Sequence, residues 1–180
     1  MIVRKFLISI TLCIIPREKC RNKTLFNSKI VPRSMTDVEH RYDMTSNWVK
    51  EKIVTIEIEG KSNFEVATPS DFWPESPKST ISPEDMFVAS AVSCYGVSLS
   101  GVAKRFHAEF ISFRVEATGT LHQGEYGWEF EQITIKPTIT VPTQKDKKRM
   151  MKAAERAHRY CVVSNSMKCP VHLDYEIVLS

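Results

Sequence analysis

The 180-residue sequence has no internal repeat, no low-complexity tract and no cysteine pattern that could staple a secreted scaffold. Its five cysteines, Cys13, Cys20, Cys94, Cys161 and Cys169, are odd in number and irregularly spaced, which excludes a regular disulfide framework. Three of them lie beyond the N-terminal segment, a count that suits a reducing compartment with reactive thiols or a metal site. A membrane-spanning start is also missing: the apolar run Phe6 to Ile15 is too short to cross a bilayer as a helix. Pro16-Arg17-Glu18-Lys19-Cys20 offers no small-x-small cleavage site, and no small residues precede Cys20 as a lipoprotein signal requires. Net positive charge is missing past the start of the chain. Residues 1–34 carry eight basic residues against Glu18 alone, a net +7, so residues 35–180 come to −3 against +4 for the whole. The sequence pI of about 8.8 therefore belongs to the N-terminal segment, and the body carries no nucleic-acid footprint. Residues 1–44 are expected to be a basic extension, disordered or targeting, with residues 45–180 as the folded domain. A transit peptide fits its Arg/Lys excess better than a secretory signal, and an upstream extension with the true start at Met35 or Met44 is the plain alternative. The expected location is cytoplasmic, or organellar or exported if residues 1–34 are a targeting segment.

The body is organised around one stretch, Ser82 to Phe106. Ser82 is a good N-cap, Pro83 suits the first helical position, and Asp85 stands at the capping-box spacing, with Glu84 beside it in the first turn. From Met86 to Ala103 there is no charge, so the helix is expected to be buried nearly all round. Ala89, Ser90, Ala91, Ser93, Gly96, Ser98, Ser100 and Gly101 are small enough to let other backbones approach closely. One sheet face covers only one side of such a helix, so a second subunit is expected on the other.

Around it, Ile53 to Glu59 alternates as a half-buried strand, and Gly60 to Asn63 turns it into a shorter strand, Phe64 to Ala67. Pro69, Pro74 and Pro77 make Thr68 to Ile81 a loop. Ile111, Phe113, Val115 and Ala117 alternate with polar residues, and Trp128 to Ile135 returns as the partner strand after two glycines. Pro137 is expected to mark an edge or a bend before Ile139 to Val141. Thr143 caps a second helix running to Tyr160, with Met150, Ala153, Ala154, Ala157 and Tyr160 opposite Lys147, Lys148, Lys152 and Arg156. Val171 to Ile177 alternates as a last strand. The order β-β-α-β-β-α-β predicts an α+β layer with helices covering an antiparallel sheet.

Two thiols stand out. Cys94 lies inside the small-residue helix, and Cys161 follows the second helix, at or just before a helical turn predicted over Ser164 to Lys168. A helix N-terminus and neighbouring cations favour thiolate, and Arg159 is two residues from Cys161. The plain alternative is that each is a small buried hydrophobe with no chemistry.

Ser82-Pro-Glu-Asp-Met-Phe-Val-Ala-Ser-Ala-Val-Ser-Cys94, followed far downstream by Cys161-Val-Val-Ser-Asn-Ser-Met-Lys168, resembles the paired signature of the OsmC/Ohr family of thiol-dependent hydroperoxide reductases. The resemblance spans roughly residues 45–180. It implies an intertwined homodimer with two long central helices packed together and active sites at the interface. It further implies that Cys94 is the peroxidatic cysteine, Cys161 the resolving cysteine and Glu84 the active-site glutamate, while Glu84 is equally explained as a first-turn acid favoured by the helix dipole. The implied chemistry is reduction of organic hydroperoxides or hydrogen peroxide through a Cys94 sulfenate and a Cys94–Cys161 disulfide, in oxidative-stress defence. The disulfide would be returned to thiols by an external dithiol. No cofactor, resident metal, nucleic acid or membrane is implied.

Two departures from the pattern stand beside it. The family's arginine falls where this chain has only Lys78 as a cation, and Lys78, Arg41, Arg105 or Arg159 are its possible substitutes. Cys169 is extra, and it creates His158-x2-Cys161-x7-Cys169-x2-His172, a zinc-type set whose central loop is short for a closed site. The more ordinary reading puts His158 on the second helix and His172 on the solvent face of the last strand. The alternative to a peroxidase is a non-catalytic dimer of the same fold that binds a small apolar ligand or a metal.

Overall fold

The helix start set by Ser82 is realised in full. The structure, a computed structural model, describes residues 39–180; the expectations for the N-terminal segment, Cys13 and Cys20 included, lie outside the described residues. Ser82 Oγ accepts from Asp85 N–H at 3.0 Å, and Asp85 Oδ2 accepts from Ser82 N–H at 2.9 Å, closing a capping box with Pro83 at the first helical position. The helix runs Pro83–Arg105 and is α1 here. Before it come the strands β1 (Thr45–Lys50), β2 (Ile53–Glu57) and β3 (Phe64–Ala67), an antiparallel three-stranded sheet in the order β1-β2-β3. β1 has no alternating pattern and is exposed at every position, which is why periodicity did not reveal it.

After α1, β4 (Ser112–Gly124) and β5 (Gly127–Val141) form a long antiparallel hairpin. Then follow α2 (Gln144–Tyr160), α3 (Val162–Ser166), β6 (Val171–Leu173) and β7 (Glu176–Leu179). The expected last strand is thus two strands, and both pair parallel with β5. The sheet is mixed rather than antiparallel, because the chain returns from β5 through two helices and such a crossover brings the next strand in parallel. Pro137 is not at an edge: it is buried in the middle of β5, paired with Val115. On its other side it falls between the β6 pairings at Ile133 to Ile135 and the β7 pairings at Thr138 to Val141, so its missing N–H costs no ladder bond there.

The core lies between this sheet and the two long helices. Tyr95, Leu99 and Ala103 of α1, Met150, Ala153, Ala154 and Ala157 of α2, and Ile133, Ile135, Ile139 and Val141 of β5 are all inaccessible to solvent. The alanines of α2 let α1 approach closely, and each fully buried Leu or Ile side chain is worth roughly 1.5–3 kcal/mol. β4 comes equally near at Gly119, where a Cβ would meet Val88 Cγ2 at 2.6 Å. Thr143 caps α2 as expected, its Oγ1 accepting from Asp146 N–H at 3.1 Å, while the Asp146 carboxylate accepts from Thr143 Oγ1 and from Glu109 N–H at 3.2 Å. That carboxylate ties the connection after α1 to the start of α2.

Among the described residues, α1 is the one helix with the length and apolarity of a membrane span. Within the fold one face of it is packed, with Ala91, Tyr95, Leu99 and Val102 buried. The opposite side, Ala89, Ser93, Val97 and Ser100, is exposed, Val97 at 77 %. A single chain therefore does not bury this helix all round.

Candidate active site at the thiol pair

The thiol site forms where the middle of α1 meets the start of α3. α2 ends at Tyr160 and α3 begins at Val162, so Cys161 is at once the C-cap of one helix and the N-cap of the next. The helical turn predicted over Ser164 to Lys168 lies two residues earlier, at Val162–Ser166. The first N–H groups of any helix have no partner inside it. Here two sulfurs take them. Cys161 Sγ accepts from Ser164 N–H at 3.5 Å and from Ser164 Oγ at 3.1 Å, while the N–H groups of Val162 and Val163 are directed at Cys94.

These contacts separate the two thiols in acidity. Partial burial pushes the Cys94 thiol up, but the Val163 N–H, the Cys161 thiol, the Ser98 hydroxyl and the Val162 N–H together outweigh it, and Cys94 ends below the ordinary cysteine range. Cys161 goes the other way. It is completely buried, which raises its pKa; the Ser164 hydroxyl and N–H offset part of that, and its own interaction with Cys94 raises it further. One sulfur is thus partly accessible with its pKa drawn down, the other covered with its pKa pushed up, and they are neighbours. All three cysteines among the described residues are free thiols.

Glu84 is not part of this cluster. It stands ten residues before Cys94 on the same helix, about 15 Å along the axis at 1.5 Å per residue. It lines two openings. One, of about 310 Å³, is walled by the proline-rich loop and includes Lys78; the other, of about 500 Å³, is an apolar groove between α1 and β4 with Val88, Val92, Val115 and Ala117. Glu84 Oε2 is buried and accepts no hydrogen bond. Lys78 reaches the same opening but does not satisfy that oxygen. The loop is held from outside by Phe72, whose ring meets Trp128 edge-on at 5.4 Å between centroids, a contact the sequence did not announce.

The zinc-type set does not assemble. His158 lies on α2, partly buried, with a pKa lowered by burial first and by His172 second, partly offset by a contact with the Val171 backbone. His172 is exposed on β6, and Cys169 is nearly buried in the hydrophobic core. Among the described residues no three His, Cys, Asp or Glu side chains converge as a metal site.

Comparison with known proteins places this arrangement. The family model described as OsmC-like protein matches residues 76–176, which take in α1, Cys94 and Cys161. A curated relative, the uncharacterized protein YmaD of Bacillus subtilis, is 21% identical over 143 residues, covering 77% of this chain and 93% of its own. An OsmC-like protein of unknown function from Vibrio cholerae superposes with a TM-score of 0.69 at 18% identity, covering 76% of this chain and 99% of that one. An organic hydroperoxide resistance protein from Elizabethkingia anophelis gives 0.64 at 19%, covering 80% and 99%. The organic hydroperoxide resistance protein OhrB of Bacillus subtilis gives 0.57 at 20%, covering 77% and 98%. With more than half of its length matched by the family model and this α+β fold, the chain belongs to the OsmC-like protein family.

Proposed function

We propose that this protein is a cysteine-based peroxidase that reduces organic hydroperoxides or hydrogen peroxide, in oxidative-stress defence, with Cys94 as nucleophile and Cys161 as resolver. The observation that carries the reading is the meeting of two free thiols where α1 reaches the α2–α3 junction, Cys94 partly exposed and Cys161 buried beside it. The Cys94 thiolate attacks the distal peroxide oxygen; the O–O bond breaks, the alcohol or water leaves with a proton, and Cys94 becomes a sulfenic acid. The Cys161 sulfur then attacks the sulfenate sulfur, water departs, and a Cys94–Cys161 disulfide remains. An external dithiol restores both thiols by two exchange steps, oxidising itself. The hydrogen bonds from Val162 and Val163 N–H serve the first step, since they favour the charged sulfur before attack.

The working unit in this reading is a homodimer in the cytoplasm. The exposed stripe of Ala89, Ser93, Val97 and Ser100 on α1 and the apolar groove beside Glu84 are the surfaces a second copy would cover. Glu84 of that copy would then act near the thiols, which the same chain's Glu84 cannot reach. The names of two structural relatives, organic hydroperoxide resistance proteins, point to the same substrate class. Steady-state reduction of cumene hydroperoxide with a dithiol as electron donor tests the proposal. Turnover is expected from the native protein and none above background from Cys94→Ser; equal turnover by the two proteins would sink it.

A further inference from the structure

Charge is unevenly spread within the body. α2 holds seven basic residues against two acidic ones, a net +5, whereas the rest of residues 35–180 hold ten basic against eighteen acidic, a net −8. Lys145, Lys148, Lys152, Arg156 and Arg159 are all exposed. Their spacings of three, four, four and three residues keep them on one side of the helix, as a stripe about 21 Å long at 1.5 Å per residue. Among the described residues, none of the five belongs to an ion pair within 4.0 Å. Glu155, the acid beside the stripe, is engaged by the Tyr175 hydroxyl at 3.3 Å.

The stripe runs to the thiol site. Arg159 and Tyr160 immediately precede Cys161, and Asn165 Nδ2 donates to Arg159 O at 2.9 Å, fixing this end to α3. The Arg156 guanidinium sits 5.3 Å from the centre of the half-exposed Tyr160 ring. Tyr160 in turn lines an open cavity of about 450 Å³ with Ser98, Gly101, Val102 and Arg105, and Ser98 is the hydroxyl that interacts with Cys94. A line of cations outside any ion pair thus ends at a cavity lined by Tyr160, the residue before Cys161, and by Ser98, one helical turn from Cys94.

We propose that the α2 stripe is the docking surface for an acidic protein that carries the dithiol reductant, its thiol-bearing segment entering the cavity beside Tyr160. The inference rests on the peroxidase reading above. One partner thiolate attacks the Cys94–Cys161 disulfide to form a mixed disulfide, and its second thiolate displaces the protein sulfur. Two electrons pass to the protein, both cysteines regain protons, and the partner leaves as a disulfide. Charge complementarity selects this occupant. Within residues 35–180, an extended polyanion or an anionic bilayer reaching past the stripe would also meet the −8 carried outside α2, whereas a partner confined to one 21 Å stripe meets only cations.

The test uses a synthetic dithiol peptide bearing a run of glutamates, its lysine counterpart and dithiothreitol, each reducing the oxidised full-length protein. The glutamate peptide should react about tenfold faster than the lysine peptide at low ionic strength, and the advantage should vanish near about 0.5 M salt. K148E/K152E/R156E should abolish or invert that preference, with the milder K148Q/K152Q intermediate, and dithiothreitol should reduce all three proteins equally. A glutamate peptide with serines in place of its cysteines should bind the reduced native protein by fluorescence anisotropy and not the triple variant. A disulfide that forms but is reduced without regard to peptide charge or salt overturns the docking surface, as does tighter binding to duplex DNA or phosphatidylserine vesicles than to the peptide. Peptide binding without any disulfide after oxidation overturns the reductant role and the peroxidase reading together.

Discussion

The two ends of the Glu84–Cys94 stretch of α1 are built to different degrees of completion. At Cys94 a single chain supplies contacts that draw the thiol pKa down, from Val163, Cys161, Ser98 and Val162, against the burial that raises it. At Glu84, ten residues earlier on the same helix, a carboxylate oxygen is buried with no donor at all. An unsatisfied buried carboxylate oxygen costs of order 1–3 kcal/mol, so an unpaired one beside an apolar groove is a mark of a site that another surface finishes. Under the peroxidase proposal, the contrast gives reactivity and substrate handling separate sources. The first is local to one chain; in the proposed dimer, the second belongs to the assembly.

Substitutions should separate the two ends, beginning with the strongest. Cys161→Ala should lower multiple-turnover peroxide reduction by at least about 100-fold while leaving the first oxidation of Cys94 intact, measured by trapping the sulfenate with dimedone. The same variant should move the pH profile of Cys94 alkylation to higher pH, because it removes one of the groups that acidify the thiol. Glu84→Gln should lower turnover by about tenfold, the loss of one charge-assisted contact, yet leave alkylation of Cys94 by a neutral haloacetamide unchanged. If that substitution shifted alkylation as strongly as Cys161→Ala, the two ends would not be separate. Ser98→Ala should slow alkylation at neutral pH about fivefold, the worth of one hydrogen bond of roughly 1 kcal/mol.

The smallest effect concerns the frame. The Thr143 hydroxyl and the Glu109 N–H hold the Asp146 carboxyl below the usual carboxylate range, with burial opposing them and Arg149 and Lys145 adding to them. A group whose pKa is depressed on folding stabilises the fold above its unfolded pKa, about 3.9 for aspartate, and that contribution is lost as pH falls through the lower folded value. Thr143→Ala should therefore lower stability at neutral pH in urea unfolding, and the deficit should shrink in acid.

The sequence made some of this legible and hid the rest for physical reasons. The start of α1 was readable because Ser82, Pro83 and Asp85 each act on their own backbone neighbours, and the start of α2 was readable from Thr143 and Asp146 in the same way. The mixed sheet was not readable, since strand direction depends on where the chain returns after α2 and α3. Pro137 misled because its cost depends on the neighbouring strand, and β6 and β7 part beside it. At the site, Cys94 and Cys161 were singled out by pattern, but the difference in their acidity comes first from how deeply each is buried and then from which groups of α3 and α1 face which sulfur, a matter of tertiary placement. Glu84 was named as a site residue; its ten-residue spacing from Cys94 on one helix already sets it some 15 Å along the axis from the thiols, but no spacing shows that its carboxylate oxygen is buried without a donor.

The central claim is that Cys94 and Cys161 form one redox pair, and mapping disulfides after one equivalent of cumene hydroperoxide tests it most directly. Peptide mass spectrometry of the alkylated, unreduced protein should show a Cys94–Cys161 disulfide with Cys169 free. Recovery of Cys94 and Cys161 as free thiols, or a disulfide that joins either one to Cys169, would contradict it.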